Sequence, residues 1–318
     1  MVKTPLVKLE PTGQQMPLVG LGLWQIPKDR CADAVYEAIK AGYRLLDGAG
    51  DYGNEREAGQ GVQKAIDEGL VKREDLFITS KLWSNFHAED KVEPACQMSL
   101  DLWGLDYFDL YHIHFPIAVK YVDPKVRYPP GWSYDGKGTI ILEDAPIYKT
   151  WAVMESLVDK KKARNIGISN FRGVLISDLM TYARIPPAVL QVEMHPLLVQ
   201  EQLIQLCKAY KIHITAYSSF GGPSYGPQPK IGSLFEEEHI VAAGKAHKKT
   251  PAQVLLRWST QRDIAVIPKS NHSERLAENL ACCDFDLTEK ELKDITALDQ
   301  DFRFNDPGKV DPRMAIWS

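Results

Sequence analysis

Long apolar runs are missing from this chain: no stretch reaches the ~18 hydrophobic residues that a membrane span requires. Nor is there an excess of basic charge. The formal net charge is −4, which argues against a nucleic-acid partner while leaving room for a local site for one anionic ligand. The five cysteines (Cys31, Cys96, Cys207, Cys282 and Cys283) form no C-x-x-C pair and no zinc-ligand spacing, so no metal is expected. An odd count whose only close pair is adjacent argues for free thiols in a reducing compartment. The first 13 residues carry charges and prolines without the apolar core of a signal peptide, and the expected location is cytoplasmic. Asn271-His272-Ser273 spells a glycosylation sequon, which without a secretory signal reads as a chance match. Low-complexity tracts and long linkers are also lacking, and a single domain over residues 1–318 is expected.

What is present is an ordinary globular composition, 44% hydrophobic and 25% charged, arranged in a repeating order. Short β-rich runs lie at 19–22, 43–46, 76–79, 108–113, 163–168, 189–193, 212–216 and 264–267. Amphipathic helical patterns follow them at 31–41, 55–68, 91–102, 147–161, 174–183, 200–210, 237–247 and 274–279. Strands alternating with helices imply a parallel sheet with right-handed crossovers. Eight such units suit either an open doubly wound sheet or a closed (β/α)8 barrel. Two features favour the barrel. No G-x-G-x-x-G follows the first strand, because Gly20 and Gly22 are followed by Gln25 where a third glycine would fall. The chemically interesting residues also sit at the C-terminal ends of several strands, where α/β barrels place their active sites. A hairpin is expected ahead of the barrel, from 7–9 and 14–18 about Pro11-Thr12-Gly13. Insertions at 115–145 and 219–235, with a tail from 299, are long enough to be functional and are expected at the active-site end.

Asp47, Tyr52, Lys81 and His114 lie at or just beyond the ends of the second, third and fourth strands. Alone, each has a plain structural explanation: a helix cap, a core edge, a solvated cation. Together at one barrel mouth they suggest proton transfer to a carbonyl oxygen. A free tyrosine titrates near about 10, too high for ready exchange at neutral pH. A nearby ammonium favours the phenolate, by roughly 4 kcal/mol at about 4 Å and an effective dielectric near 20, before desolvation. Asp47 would hold Lys81 charged and aimed, and a neutral His114 would orient the carbonyl. No side chain donates hydride, so a nicotinamide cofactor is implied.

Over nearly its whole length the chain resembles the aldo-keto reductase family. The resemblance is carried by Val19-Gly20-Leu21-Gly22-Leu23-Trp24, Leu46-Asp47-Gly48-Ala49-Gly50-Asp51-Tyr52-Gly53-Asn54-Glu55, residues 78–83 and 109–116, Ile166-Gly167-Ile168-Ser169-Asn170-Phe171, Gln191-Val192-Glu193 and Ile267-Pro268-Lys269-Ser270-Asn271. It implies Tyr52 as general acid, tuned by Lys81 and Asp47, with His114 positioning substrate. It implies Ser169, Asn170 and Gln191 at the carboxamide, Tyr217 stacked on the nicotinamide, and Ser218 beside it. Lys269, Ser270, Asn271, Arg275, Glu278 and Asn279 match its adenosine-phosphate site. Two cations near a helix start suit a 2′-phosphate, which favours NADPH over NADH.

Within the family the chain is most similar to fungal and yeast xylose reductases, through His114-Phe115-Pro116, Lys120-Tyr121-Val122, Tyr128-Pro129-Pro130-Gly131, Ala216-Tyr217-Ser218-Ser219-Phe220-Gly221 and Arg303-Phe304-Asn305-Asp306-Pro307. That likeness implies an aldose substrate, D-xylose first, with L-arabinose, erythrose, glyceraldehyde or a uronic acid as alternatives. It places Asp51 and Asn305 on sugar hydroxyls and Trp24, Trp83 and Phe115 around the pocket. A non-catalytic nucleotide-binding barrel is the reading from another class, and the intact Asp47, Tyr52, Lys81 and His114 argue against it. The expected assembly is a monomer or homodimer. Three departures stand out. The segment 222–230 looks shorter than in dual-cofactor relatives and lacks an evident match to their ribose-binding glutamate. His112 stands where leucine is commoner, expected one layer below His114 as a hydrogen-bonded core histidine. Met194 departs from the usual pattern as well, and the adjacent His195 is expected to be structural.

Overall fold

In the computed structural model, residues 4–225 and 232–317 are described. The chain opens with a hairpin in which β1 (Leu6–Lys8) pairs antiparallel with β2 (Gln15–Pro17). Eight parallel strands follow among the described residues: β3 (Gly20–Gly22), β4 (Leu45–Asp47), β5 (Phe77–Leu82), β6 (Phe108–Ile113), β7 (Ala163–Ser169), β8 (Val189–Glu193), β9 (His213–Tyr217) and β10 (Ala265–Val266). They pair in sequence order, and a parallel bridge from Val19 to Val266 joins the last strand to the first. The sheet is closed. Both the barrel and its leading hairpin stand as the sequence reading expected.

Ten helices among the described residues surround the strands: α1 (Lys28–Ala41), α2 (Glu55–Asp67), α3 (Glu89–Trp103), α4 (Ile147–Asp159), α5 (Gly173–Tyr182), α6 (Glu201–Tyr210), α7 (Glu238–His247), α8 (Pro251–Thr260), α9 (Ser273–Leu280) and α10 (Glu289–Thr296). The pattern in α1 shows why they form and stop. Cys31, Ala34, Val35, Ala38 and Ile39 make its buried stripe, and Gly42 ends it at a φ of 117° while returning its N–H to the carbonyls of Ala38 and Ile39.

Two helices went unanticipated. α8 buries Gln253, Val254, Leu255, Leu256, Trp258, Ser259 and Thr260, and it is the second helix between β9 and β10, with no strand ahead of it to mark a unit. Its start was nonetheless written in Thr250-Pro251, where Thr250 and Gln253 form a reciprocal capping box. α10 buries only Ile295 and is announced by a similar box between Thr288 and Glu291. The third barrel strand also runs to Leu82 rather than ending at residue 79, which puts Lys81 inside the ladder.

The hairpin covers the N-terminal end of the barrel. Val7, Leu9, Met16 and Leu18 pack in one cluster with Leu45, Phe77, Leu110, Val189 and Ala265. Thr12 Oγ1 donates to Asn165 Oδ1 at 2.7 Å and Gln14 Nε2 to Asp109 Oδ1 at 2.6 Å, fixing the hairpin to β7 and β6. The opposite end is left for the loops. Among the described residues no helix is long and apolar enough to cross a membrane, and no cluster of three or more metal-ligating side chains occurs.

Candidate active site

The strand register sets the chemistry. Asp47 is the last residue of β4, and Lys81 lies on β5, so both side chains enter the barrel near its mouth. Lys81 is fully buried, and each ammonium proton has an acceptor: Asp47 Oδ1 at 2.6 Å, the Gly48 carbonyl at 2.8 Å and the Tyr52 hydroxyl at 3.2 Å. The other Asp47 oxygen accepts from Gln191 Nε2 of β8 at 2.8 Å. Burial lowers the Lys81 pKa, while Asp47 works to raise it again.

Tyr52 behaves differently from expectation. Burial, followed by Asp47, Tyr225 and Asp51, pushes its pKa well above the ordinary value, so the Lys81 contact does not bring it down. The hydroxyl therefore keeps its proton at neutral pH. His114 sits just past β6, with its ring edge-on to Tyr52 at 5.8 Å and to Trp83 at 5.0 Å. Burial, then Lys81, then His112 hold its pKa well below the usual value, which keeps the imidazole neutral.

His112 lies in register with Lys81 and with Gly167 of β7. A Cβ on Gly167 would stand 2.5 Å from His112 Nδ1, so only glycine leaves room for this ring. The ring is a buried core histidine that meets the Ile168 backbone, a contact outside ordinary hydrogen-bond geometry.

Above these groups opens a cavity of about 760 Å³. Its lining brings together Asp47, Tyr52 and His114 with Trp24, Asp51, Trp83, Phe115 and Asn305. On the far side it reaches Asn170, Gln191, Tyr217, Ser218, Lys269, Ser270, Arg275, Glu278 and Asn279. Ser169 and Asn271 do not line it. Ser169 is buried, its Oγ accepting from Asn170 Nδ2 at 3.2 Å. Sequence reasoning passed over Trp132, Tyr225 and the Thr250-Pro251-Ala252 start of α8, all of which line the cavity. Trp132 directly follows the Tyr128-Pro129-Pro130-Gly131 motif, which was the available signal. Tyr225 stacks on Phe304 at 5.7 Å and tilts against Trp24 at 5.5 Å, a pairing across loops that no local pattern announces. Residues 226–230 of the shortened segment lie outside the described residues.

Buried carboxylates tie the loops down. Glu55, at the start of α2, accepts from Ser80, Ser99 and Trp103, and from Tyr128 of the long β6–α4 insertion at 3.0 Å. Asp51 accepts from the Gly131 N–H at 3.0 Å, and Trp83 Nε1 donates to the Gly131 carbonyl, also at 3.0 Å. Burial outweighs that Gly131 bond and raises the Asp51 pKa to about 7. On the tail side, Glu193 of β8 accepts from the backbone of Phe304 and Asn305 at 2.8 Å each, and pairs with His195 Nε2 at 2.9 Å. Asn305 Nδ2 then donates to the Tyr217 hydroxyl, which donates to Asn170 Oδ1 at 2.6 Å. His195 thus has a structural partner, as expected.

A closed (β/α)8 barrel with a Lys81-Asp47-Tyr52 cluster beneath one elongated cavity defines a barrel oxidoreductase. Residues 18–300 match the model of the aldo/keto reductase family. The chain is 58% identical over 309 residues to a probable NAD(P)H-dependent D-xylose reductase of Aspergillus terreus, covering 96% of each chain. It is 58% identical over 312 residues to the Emericella nidulans protein of the same description, covering 95% of this chain and 96% of that one. The NAD(P)H-dependent D-xylose reductase of Aspergillus niger is 56% identical over 309 residues, covering 96% of each. The chain belongs to the aldo/keto reductase family. It is an oxidoreductase that uses a nicotinamide cofactor. The donor set fits that cofactor: amide side chains of Asn170 and Gln191 at one end of the cavity, and the exposed cations Lys269 and Arg275 at the other.

Proposed function

We propose that this enzyme reduces the open-chain aldehyde of an aldose, D-xylose foremost, to the corresponding polyol with NADPH. The observation that carries the reading is Lys81, whose ammonium joins Asp47 to the Tyr52 hydroxyl at the floor of a cavity walled by aromatics. The cofactor supplies the hydride when bound. Asn170 and Gln191 hold its carboxamide, with Ser169 behind them orienting Asn170, and Tyr217 offers a ring face to the nicotinamide. Ser218 stands next to that ring.

Tyr52 gives its proton to the carbonyl oxygen as negative charge develops there. Because the phenol is held protonated by burial, Lys81 acts by meeting the phenolate as it forms rather than by ionising the phenol beforehand. Asp47 keeps Lys81 charged and aimed. Neutral His114 donates to the same carbonyl oxygen and fixes its approach. Asp51 and Asn305 take sugar hydroxyls, while Trp24, Trp83, Phe115 and Trp132 exclude water around the reacting carbon.

NADPH is favoured over NADH because Lys269 and Arg275 flank the start of α9 and can pair with a 2′-phosphate; Ser270, Asn271, Glu278 and Asn279 complete the adenosine end. The whole chain acts as one barrel domain, as a monomer or homodimer in the cytoplasm. L-Arabinose, erythrose, glyceraldehyde and uronic acids are alternative substrates. NADPH oxidation followed with each aldose tests the reading: D-xylose is expected to give the highest kcat/KM among the pentoses, and no turnover with any aldehyde would refute it.

A further inference from the structure

α9 runs directly into a short 3-10 turn, Ala281–Cys283, that carries two adjacent thiols the reductase chemistry does not use. Cys282 is fully buried and Cys283 half-buried, and their sulfurs are 3.7 Å apart. Burial pushes the thiols of Cys31, Cys96 and Cys207 up to about 12, which leaves them inert. Cys283 has different neighbours. Its sulfur lies 3.5 Å from Thr260 Oγ1 at the end of α8, and the Arg257 guanidinium from the same helix faces it. The hydrogen bond from Cys282, then Thr260 and Arg257, lower the Cys283 pKa against the effect of burial, while the same Cys282 bond pushes Cys282 up.

Arg257 is held in place by Asp286 through Nη2, and its Nη1 reaches Thr260 Oγ1. The guanidinium stands close enough to the sulfur to favour a Cys283 thiolate both by its charge and by a hydrogen bond. The other nearby carboxylate, Asp284, is paired with Lys249 at 2.6 Å.

We propose that Cys283 is a hydroperoxide-reactive thiol and Cys282 its resolving partner, forming a reversible oxidation site at the end of α9. The Cys283 thiolate attacks one peroxide oxygen; the O–O bond breaks, an S–O bond forms, and the peroxide leaves as water or an alcohol. The Cys282 sulfur then attacks the Cys283 sulfur, the S–O bond breaks, and water departs with the thiol proton. The dithiol loses two electrons and two protons in all, and the hydroperoxide gains them.

Neighbouring Cα atoms across a trans peptide are only about 3.8 Å apart. Disulfides usually need at least about 4.4 Å, so the closed ring is strained and easily reduced. Closing it must unwind the 3-10 turn and pull on α9. That helix carries Arg275, Glu278 and Asn279 at the cavity, and Glu278 also accepts from Thr250 Oγ1 at the start of α8. Oxidation is therefore expected to weaken NADPH binding, a consequence that rests on the proposed cofactor.

The test is intact-mass analysis and peptide mapping of the full chain treated with one equivalent of hydrogen peroxide. The expected result is loss of two hydrogens on the Cys282-Cys283 peptide, restored by a thiol reductant. Cys283→Ser should abolish it. Cys282→Ala should instead stop at a gain of one oxygen that a cyclic 1,3-dione traps. Arg257→Met, checked for retained fold by circular dichroism, should slow the reaction about tenfold. Oxidation that maps to another cysteine, or that persists at the same rate in Cys283→Ser, overturns the proposal. Fluorescence titration then reads the coupling, with the NADPH Kd rising several-fold on oxidation and returning on reduction. An unchanged Kd in fully oxidised protein refutes the coupling while leaving the thiol chemistry standing, and failure of reduced protein to bind NADPH refutes the cofactor reading instead.

Discussion

Tyr52 and Lys81 share one hydrogen bond but should fail differently when altered. Tyr52→Phe removes the transferable proton and little volume. Its kcat should fall by roughly 10²–10⁴ while NADPH binding, followed by fluorescence, stays near wild type. Full activity in that variant would rule out Tyr52 as the acid. Lys81→Met should cost fold as well as rate, because Asp47 would be left buried without its cation. A loss of about 3–5 kcal/mol in denaturant unfolding is expected. Asp51 offers a pH signature. Its carboxyl, raised to about 7 by burial, is protonated below that pH and ionised above it. Since an ionised carboxylate accepts more strongly from a sugar hydroxyl, the KM for aldose should fall as pH rises through about 7, and Asp51→Asn should flatten that dependence. His112 is the contrary case, a neutral ring that meets only the Ile168 backbone and is held far from protonation by burial and then by Lys81. No polar chain links it to His114, so His112→Leu should leave the pH–rate profile unchanged.

Among the elements, the strand-helix units with clear contrast were readable. β6 and β8 stand where alternation and apolar runs put them, and α1 shows its stripe plainly. α8 was missed because it is a second helix between β9 and β10 with no strand of its own ahead of it, although its apolar pattern and its cap at Thr250 and Gln253 were legible. The site was legible where residues sit at strand ends, since a strand fixes where its last side chain points. It was not legible where loops meet, as at Tyr225 against Trp24 and Phe304. The direction of the Tyr52 shift was also hidden, because the count of groups burying it is a property of the fold. Glu193 belongs to this scale too, since one carboxylate positions the tail through the backbone of Phe304 and Asn305. Glu193→Ala should loosen Asn305 and Tyr217 together, so KM should rise for both aldose and cofactor while Tyr52 remains competent. Steady-state kinetics with each substrate varied in turn would show it.

For the whole molecule, the charged pair Lys81 and Asp47 is buried, whereas the cavity-lining cations Lys269 and Arg275 are exposed. Cofactor choice should therefore be separable from chemistry. Changing both Lys269 and Arg275 to methionine should raise the KM for NADPH by tenfold or more, as expected when charge-assisted bonds of about 1.5–3 kcal/mol each are lost. NADH kinetics should barely move. Equal losses with both cofactors would show that these cations do not read the 2′-phosphate.

The hairpin at the opposite end has a further consequence for turnover. Met16 and Leu18 close the barrel floor over Leu45, Phe77 and Leu110, and Lys81 above them has already committed all three of its protons. The barrel is thus closed by apolar side chains on the hairpin side. If Tyr52 is the acid, as proposed, solvent protons that reload it are expected to enter through the mouth, the opening that the polyol must also use to depart, so reloading and product release share one passage.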